Sequence, residues 1–493
     1  MIKNDIARTE LMKCALCYSA HCTQACPKMP VGRIMLSNLM ANTQGAIKAI
    51  PEGACTGCDA PCEEKCPTGV KIKTLMEMLD ASRDKFDMTV DETAMDLSTE
   101  ICGVKLENPF LLSSSVVAST YEMCANAFKE GWAGVAFKTI CLMDIREASP
   151  RFSANQNVNA SWYGFKNIEQ LSDHSLEENL DTFRRLKENY PSKVILASIM
   201  GRNEDEWEYL ARKVTEAGAD VIECNFSCPN MEYEGTGSDV GQVPELVEKY
   251  TAAARRGSNL PILAKMTPNI TDMRLPARAA KRGGADGIAA INTIKSITGV
   301  DIDSFVPEPA VGGKSMIGGY SGPAVKPIAL RFIADLAGDG ELEGMHISGM
   351  GGIRTWEDSV EFILLGAGSL QITTAVMEYG YRIIRDLKQG LQFYMARKGI
   401  KSIDQIRGAS LQMLVENDEL SRDTRVYPKF DRTRCIKCGR CYISCRDGGH
   451  QAIYFDEESE TVTMNPKLCV GCMLCELVCP KGAISQSQRV PKK

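Results

Sequence analysis

The sequence has 493 residues, enough at roughly 150 per domain for about three domains and a large core. Its 57 basic and 63 acidic residues nearly cancel, leaving a net charge of −6, and the basic ones form no long run, which argues against a dedicated nucleic-acid or anionic-membrane binder. No apolar stretch reaches the ~18 residues of a membrane span, and the charged N-terminus MIKNDIARTELMK lacks the apolar core of a signal peptide, so no membrane partner and a cytoplasmic location are expected. In that compartment the 21 cysteines stay reduced and need a role other than disulfides.

Residues 1–95 carry two groups of four cysteines. Cys14, Cys17, Cys22 and Cys26 follow C-x2-C-x4-C-x3-C-P, and Cys55, Cys58, Cys62 and Cys66 follow C-x2-C-x3-C-x3-C-P. Two groups each ending in Cys-Pro suggest two [4Fe-4S] cubes in a helical domain, with zinc as the alternative. By analogy with the C-terminal motif below, cross-over ligation is expected, Cys14, Cys17 and Cys22 sharing a cube with Cys66, and Cys55, Cys58 and Cys62 with Cys26. Between the groups, residues 31–50 read as an amphipathic helical linker.

From 96 to 395 short apolar runs alternate with helical patterns. Eight candidate strands are FLLSSS (110–115), GVAFK (134–138), VILASI (194–199), DVIECN (220–225), PILAKM (261–266), GIAAIN (287–292), MHISGM (345–350) and SLQITT (369–374). This is the arithmetic of an α/β TIM (β/α)8 barrel, with an open doubly wound sheet as the competitor. No Gly-x-Gly-x-x-Gly opens a helix after any of these runs, so a dinucleotide fold is not supported. Ser114, Lys138, Asn225, Lys265, Asn292, Gly351 and Thr373 each end or follow a strand, on the face where barrel enzymes build their sites. Glycine pairs at 312–313, 318–319 and 351–352 follow late strands, where backbone N–H groups can close on a phosphate.

Residues 396–426 read as a helical linker to a ferredoxin-like domain at 427–493. There Cys435, Cys438, Cys441 and Cys445 follow C-x2-C-x2-C-x3-C, and Cys469, Cys472, Cys475 and Cys479 repeat it. In this bacterial two-cluster spacing the fourth cysteine ligates the other cube. One cluster is therefore assigned to Cys435, Cys438, Cys441 and Cys479, the other to Cys469, Cys472, Cys475 and Cys445. Arg446 stands where a proline is usual, at a position that shapes the turn and supplies no ligand. Zinc ribbons are the alternative, although their C-x2-C pairs stand without a third cysteine three residues on.

The segments NFSCPN (225–230), AKMTPNITD (264–272), INTI (291–294), GGYSG (318–322) and GMGGI (349–353), on a barrel followed by a double cluster motif, resemble the dihydropyrimidine dehydrogenase family. The likeness runs from about residue 100 to 485 and is greatest to the catalytic subunit of the bacterial two-subunit form. Dihydroorotate dehydrogenases are wider relatives. The resemblance implies an FMN-dependent enzyme that interconverts uracil or thymine with their 5,6-dihydro forms. A hydride would pass between flavin N5 and C6, and a proton between Cys228 and C5. It implies pyrimidine contacts at Asn167, Asn225, Asn292 and Thr293. Flavin contacts are implied at Ser113, Ser114, Lys138, Asn167, Lys265, Gly319, Gly322, Gly351, Gly352, Thr373 and Thr374. A carboxamide offers a donor and an acceptor without charge, which suits a ring of alternating carbonyls and N–H groups. The segment 229–242 suits a lid. Cys102, Cys124, Cys141 and Cys224 are expected to be inert buried thiols, and the same reading is the alternative for Cys228.

The single-chain animal enzyme carries an FAD and NADPH module beside comparable N-terminal clusters, whereas residues 67–100 here lead almost directly into the barrel. Electrons are therefore expected from an FAD-containing NAD(P)H-oxidising subunit or a ferredoxin, and a homodimer is expected by analogy. Two alternatives stay open. One is a dihydroorotate dehydrogenase-like enzyme, which would need an extra cation for the orotate carboxylate, and Lys166 beside Asn167 is the residue to place. The other is an electron-transfer subunit without its own substrate.

Overall fold

The computed structural model describes residues 5–157 and 161–492. The chain divides into two compact units, 1–411 and 412–493.

In the first unit, eight short runs form parallel strands: β1 Phe110–Leu112, β2 Gly134–Ala136, β3 Val194–Ile199, β4 Val221–Asn225, β5 Ile262–Lys265, β6 Gly287–Ala290, β7 His346–Met350 and β8 Ser369–Ile372. Each pairs with its neighbours in sequence and β8 returns to β1, so the sheet closes into a barrel and the open-sheet alternative falls. Successive side chains point to opposite faces of a strand. Leu112, Val135, Ile195, Ile222, Ile262 and Ile288 accordingly pack outward against the helices. Leu111, Ala136, Leu196, Val221, Leu263 and Ala289 fill the interior. An antiparallel hairpin, Thr99–Ile101 with Val104–Leu106, plugs the N-terminal end through Ile101 and Leu106. The same alternation brings Ser113, Lys138, Asn225 and Lys265 to inward positions at the other end.

The long helices are set by their caps. Ser175 and Glu178 form a reciprocal capping box on Leu176–Asn189, as Thr355 and Asp358 do on Trp356–Leu364. Across the barrel mouth lies a four-stranded antiparallel sheet that the sequence reading did not anticipate. It joins Phe152–Gln156 and Trp162–Asn167 to Ile294–Ser296 and Gly318–Ser321. Its strands come from two distant segments rich in Gly, Ser, Asn and Lys, and only long-range pairing defines them.

Residues 31–50 differ from the expected amphipathic linker. They form two helices, Val31–Leu39 and Thr43–Lys48, in which every residue from Ile34 to Leu36 and from Met40 to Ile47 is buried. Val31, Ile34 and Met35 pack into the core of the cysteine-rich region, while Leu36 and Met40 join the barrel core, so apolar contacts meet this segment from both sides. Buried Asp386, on the last barrel helix, accepts from Arg33 (2.5 Å) and Asn42 (2.9 Å) and ties the two regions together. Residues 396–426 hold less helix than the sequence suggests, with 3-10 turns at Ile403–Gln405 and Leu411–Met413.

The second unit is built from short antiparallel pairs, including Ile453–Asp456 with Thr461–Met464, and two helices, Arg440–Gly448 and Leu474–Leu477, around a small core of Ile453, Val462, Met473 and Ile484. Among the described residues no helix is long and apolar enough to cross a membrane.

Candidate functional site

A cavity of about 1190 Å³ opens at the C-terminal ends of the barrel strands. A concave site at this end of the strands is where barrel proteins bind small molecules. The predicted residues Ser113, Ser114, Lys138, Asn167, Asn225, Cys228, Lys265, Asn292, Thr293, Gly322, Gly351, Gly352, Thr373 and Thr374 all line it. Gly319 stands just behind the wall, where an added Cβ would lie 2.1 Å from Thr293 Oγ1.

The carboxamides are held by fixed partners. Asn225 Nδ2 donates to Thr139 Oγ1 (2.8 Å), and its Oδ1 accepts from the Ser227 N–H (3.1 Å) and hydroxyl (2.7 Å). Asn292 Nδ2 donates to Ser227 Oγ (2.8 Å), and Asn167 Oδ1 accepts from Asn230 Nδ2 (3.1 Å). Each amide NH₂ has two hydrogens, so Asn225 and Asn292 each keep one to offer to a bound ring. Among the described residues, three buried carboxamide oxygens of the cavity wall have no partner: Asn230 Oδ1, Gln170 Oε1 and Gln371 Oε1. An orphaned buried acceptor is costly, and a ligand carrying N–H donors, as flavin and uracil rings do, would satisfy it.

Two lysines face the cavity from different sides. Lys265 Nζ donates to Ser114 Oγ (2.7 Å) and Ser113 Oγ (3.3 Å) and lies 3.3 Å from Glu223 Oε1. Lys138 Nζ stands 3.6 Å from Glu147 and 3.8 Å from Glu169, and Glu169 also pairs with Arg151 (3.0 Å). Burial pushes the Glu147 carboxyl above its usual range, Lys138 opposing that rise. Lys166 points elsewhere: fully buried, its Nζ donates to the Glu308 (2.5 Å) and Met316 (2.8 Å) carbonyls and is no part of the wall. Burial pushes the Cys228 thiol up to about 11, with Glu147 adding to the rise and the Asn230 N–H, Lys265 and Lys138 opposing it. Cys124 and Cys224, by contrast, lie wholly inside the apolar core.

Glycine is required at 352. There φ is +83°, and a Cβ would come within 2.9 Å of both the Gly322 carbonyl oxygen and the Lys326 nitrogen. Gly352→Ala should therefore disturb the wall by about 1–3 kcal/mol of backbone strain. The expected result is a lower melting temperature than wild type, read by calorimetry.

The segment 229–242 is largely fastened down. Ser238 N–H donates to the Cys228 carbonyl (2.9 Å), and Asn230, Thr236 and Ser238 are buried.

The terminal cysteines surround voids. Cys435, Cys438, Cys441 and Cys479 line one cavity, and Cys445, Cys469, Cys472 and Cys475 line another. Backbone N–H groups of Ala452 and Ala483 donate to the sulfurs of Cys445 (3.4 Å) and Cys479 (3.2 Å). In the N-terminal region Cys26, Cys55, Cys58 and Cys62 line a cavity. Burial raises the Cys14 thiol, and its neighbours Cys22, Cys66 and Cys17 add to the rise. Among the described residues no three His, Cys, Asp or Glu side chains are placed to hold a single metal ion. At the C-terminal end, four sulfurs around each void match the four thiolate ligands of a cube.

A family model for dihydroorotate dehydrogenase matches residues 96–395, and one for a 4Fe-4S dicluster domain matches 429–486. The chain is 56% identical over 398 residues to the NAD-dependent dihydropyrimidine dehydrogenase subunit PreA of Escherichia coli K12, covering 81% of this chain and 97% of that one. The chain belongs to the dihydroorotate dehydrogenase family. Within it, this oxidoreductase groups with dihydropyrimidine dehydrogenases and carries a 4Fe-4S dicluster domain at its C-terminal end. It is 38% identical over 341 residues to chloroplastic dihydropyrimidine dehydrogenase (NADP(+)) of Arabidopsis thaliana, covering 67% of this chain and 80% of that one. Identity is also 38% over 318 residues to the dihydroorotate dehydrogenase B (NAD(+)) catalytic subunit of Pyrococcus abyssi, covering 64% of this chain and all of that one. A solved dihydroorotate dehydrogenase from Eimeria tenella shares the fold at 20% identity with a TM-score of 0.54, over 68% of this chain and 93% of that one.

The sequence reading of this family member missed six polar residues near the site. Glu169 and Gln170 stand two and three residues after Asn167, Asn230 ends NFSCPN, and Glu147 sits in the loop after β2. Glu223 and Gln371 interrupt apolar strands, and alternation along VIECN and SLQI would have pointed both inward.

Proposed function

We propose that this protein interconverts uracil or thymine with their 5,6-dihydro forms, with FMN in the barrel mouth. Electrons would enter through C-terminal and N-terminal [4Fe-4S] clusters, two at each end, the N-terminal pair ligated by cross-over. The observation that carries this reading is the meeting, in one cavity, of Cys228, three anchored asparagines and unpartnered carboxamide oxygens, while Lys166 is turned away.

Ser113, Ser114, Lys138, Asn167, Lys265, Thr373, Thr374 and the glycines at 319, 322, 351 and 352 would hold the FMN, which when bound supplies hydride exchange with the pyrimidine C6. The chain's own residues do the rest. Asn167, Asn225, Asn292 and Thr293 orient the ring with neutral donors and acceptors. In the reducing direction the Cys228 S–H bond breaks and a C–H bond forms at C5, so two electrons and two protons enter per ring. In the oxidising direction the sulfur takes that proton back. The wall does not welcome a ring carboxylate, since Lys138 is already flanked by Glu147 and Glu169, and this favours uracil and thymine over orotate.

The electron source in this proposal is an FAD-containing NAD(P)H-oxidising subunit, a ferredoxin being the other candidate, and the chain acts as a homodimer. The relative from Escherichia coli is named as a subunit, which supports a partner. The complete set of acid and ring-orienting residues argues against a substrate-free electron-transfer subunit.

The test is to reduce the anaerobic protein with dithionite and add uracil, thymine or orotate. Flavin absorbance should return with uracil or thymine. Its return with orotate alone would move the assignment to dihydroorotate oxidation.

A further inference from the structure

Beneath Lys265 lies a second charged residue that the proposed chemistry does not use. Glu223 sits on β4 one inward position below Asn225, and Asn225 is the register partner of Lys265 on β5. The carboxylate is fully buried, and both its oxygens are engaged. Oε1 accepts from the Ser114 hydroxyl (2.8 Å) and lies 3.3 Å from Lys265 Nζ, while Oε2 accepts from Gln371 Nε2 (3.1 Å). Ser114 bridges the pair, because its oxygen accepts from Nζ at 2.7 Å. Gln371 reaches both ways: its nitrogen holds Glu223, and its unpartnered oxygen belongs to the cavity wall.

A buried carboxylate is expensive, and a pair of this kind is commonly no more stable than well-packed apolar side chains. A barrel that needed only a cation at its mouth could fill the layer below with Leu, as it does at Leu111, Leu196 and Leu263. We propose that Glu223 is a positioning residue: it holds Lys265 at the cavity wall and offsets part of its charge, so that the pair, and not the lysine alone, sets the reduction potential of the flavin bound there. Reduced flavin carries more negative charge than oxidised flavin, so an uncompensated cation favours reduction and a compensated one favours it less. Glu223 thereby keeps the flavin willing to give its electrons up.

This inference rests on the proposal that FMN binds here, and the experiment separates the two. The holoprotein and its variants are titrated anaerobically by spectroelectrochemistry, with FMN retention measured in parallel. Glu223→Gln should shift the reduction equilibrium at least tenfold toward reduced flavin, about 30 mV for a two-electron couple. In a Lys265→Met background the same substitution should shift it less than twofold, because its effect runs through the lysine. An unchanged potential in Glu223→Gln with FMN retained overturns the proposal, as does a full shift in the Lys265→Met background. Should Glu223→Gln not fold, Glu223→Asp keeps the charge but withdraws it by one methylene, and must give a smaller shift of the same sign; no shift overturns the idea. A wild-type protein without FMN defeats the binding assignment instead.

Discussion

Cys228→Ala should slow pyrimidine reduction by about 10²–10⁴-fold, the usual worth of a general acid, while FMN and iron contents stay at wild-type levels. In the proposed mechanism the substitution removes the proton donor and little else, since Cys228 lines the cavity and its backbone carbonyl still anchors Ser238. The pH dependence follows from the thiol's environment. Burial holds Cys228 protonated up to about 11, so the acid form is present at every lower pH and is lost only as pH climbs through that value. Reduction should therefore be level across the neutral range and decline at strongly alkaline pH, whereas oxidation of the dihydropyrimidine, which needs the thiolate, should rise toward it. Stopped-flow flavin reoxidation with uracil reads the first limb and flavin reduction with dihydrouracil the second, each followed from pH 6 to beyond the value of about 11. Wild-type turnover in Cys228→Ala, or a reduction rate already falling between pH 7 and 8, would remove the thiol from the mechanism.

Cys479→Ala should cost one cube, and specifically the one held by Cys435, Cys438 and Cys441. Cys479 is the last residue in the motif of Cys469, Cys472 and Cys475, yet it lines the cavity of the other group, and Cys445 makes the reciprocal crossing. Loss of a direct ligand should exceed the ~10–100-fold penalty typical of outer-shell changes at metal sites. Flavin reduction by an external protein donor should fall by more than 100-fold, while uracil reduction by dithionite-reduced FMN should persist. Iron and sulfide analysis with EPR of the reduced protein checks it, and Cys445→Ala should remove the other signal. Loss of the same signal in both variants would refute the crossed pairing.

All eight barrel strands stood out in the sequence because each is a short apolar run, which a fully buried parallel strand produces. The polar residues closing those runs were legible for the same reason, since a serine after FLL, a lysine after GVAF or ILA and an asparagine after VIEC have nowhere to go but the mouth. Glu223 and Gln371 were harder. Each is a single polar letter inside an apolar run, and only the two-residue alternation assigns it to the interior. The sheet over the mouth was not legible, because Phe152–Gln156 and Gly318–Ser321 carry weak strand patterns and are separated by much of the barrel. The helices at 31–48 were read as one-sided, yet the apolar residues on their second side meet the barrel core.

The order of residues along the chain determined the barrel and the C-terminal dicluster domain, because strand periodicity and cysteine spacing are local properties. Which way a side chain turns is not local. Lys166 and Lys138 are both lysines at the edge of the same mouth, yet one spends its charge on two backbone carbonyls and the other stands between two carboxylates in the wall. Only the folding of other segments onto each lysine, Glu308 and Met316 for the first and Glu147 and Glu169 for the second, decided that difference.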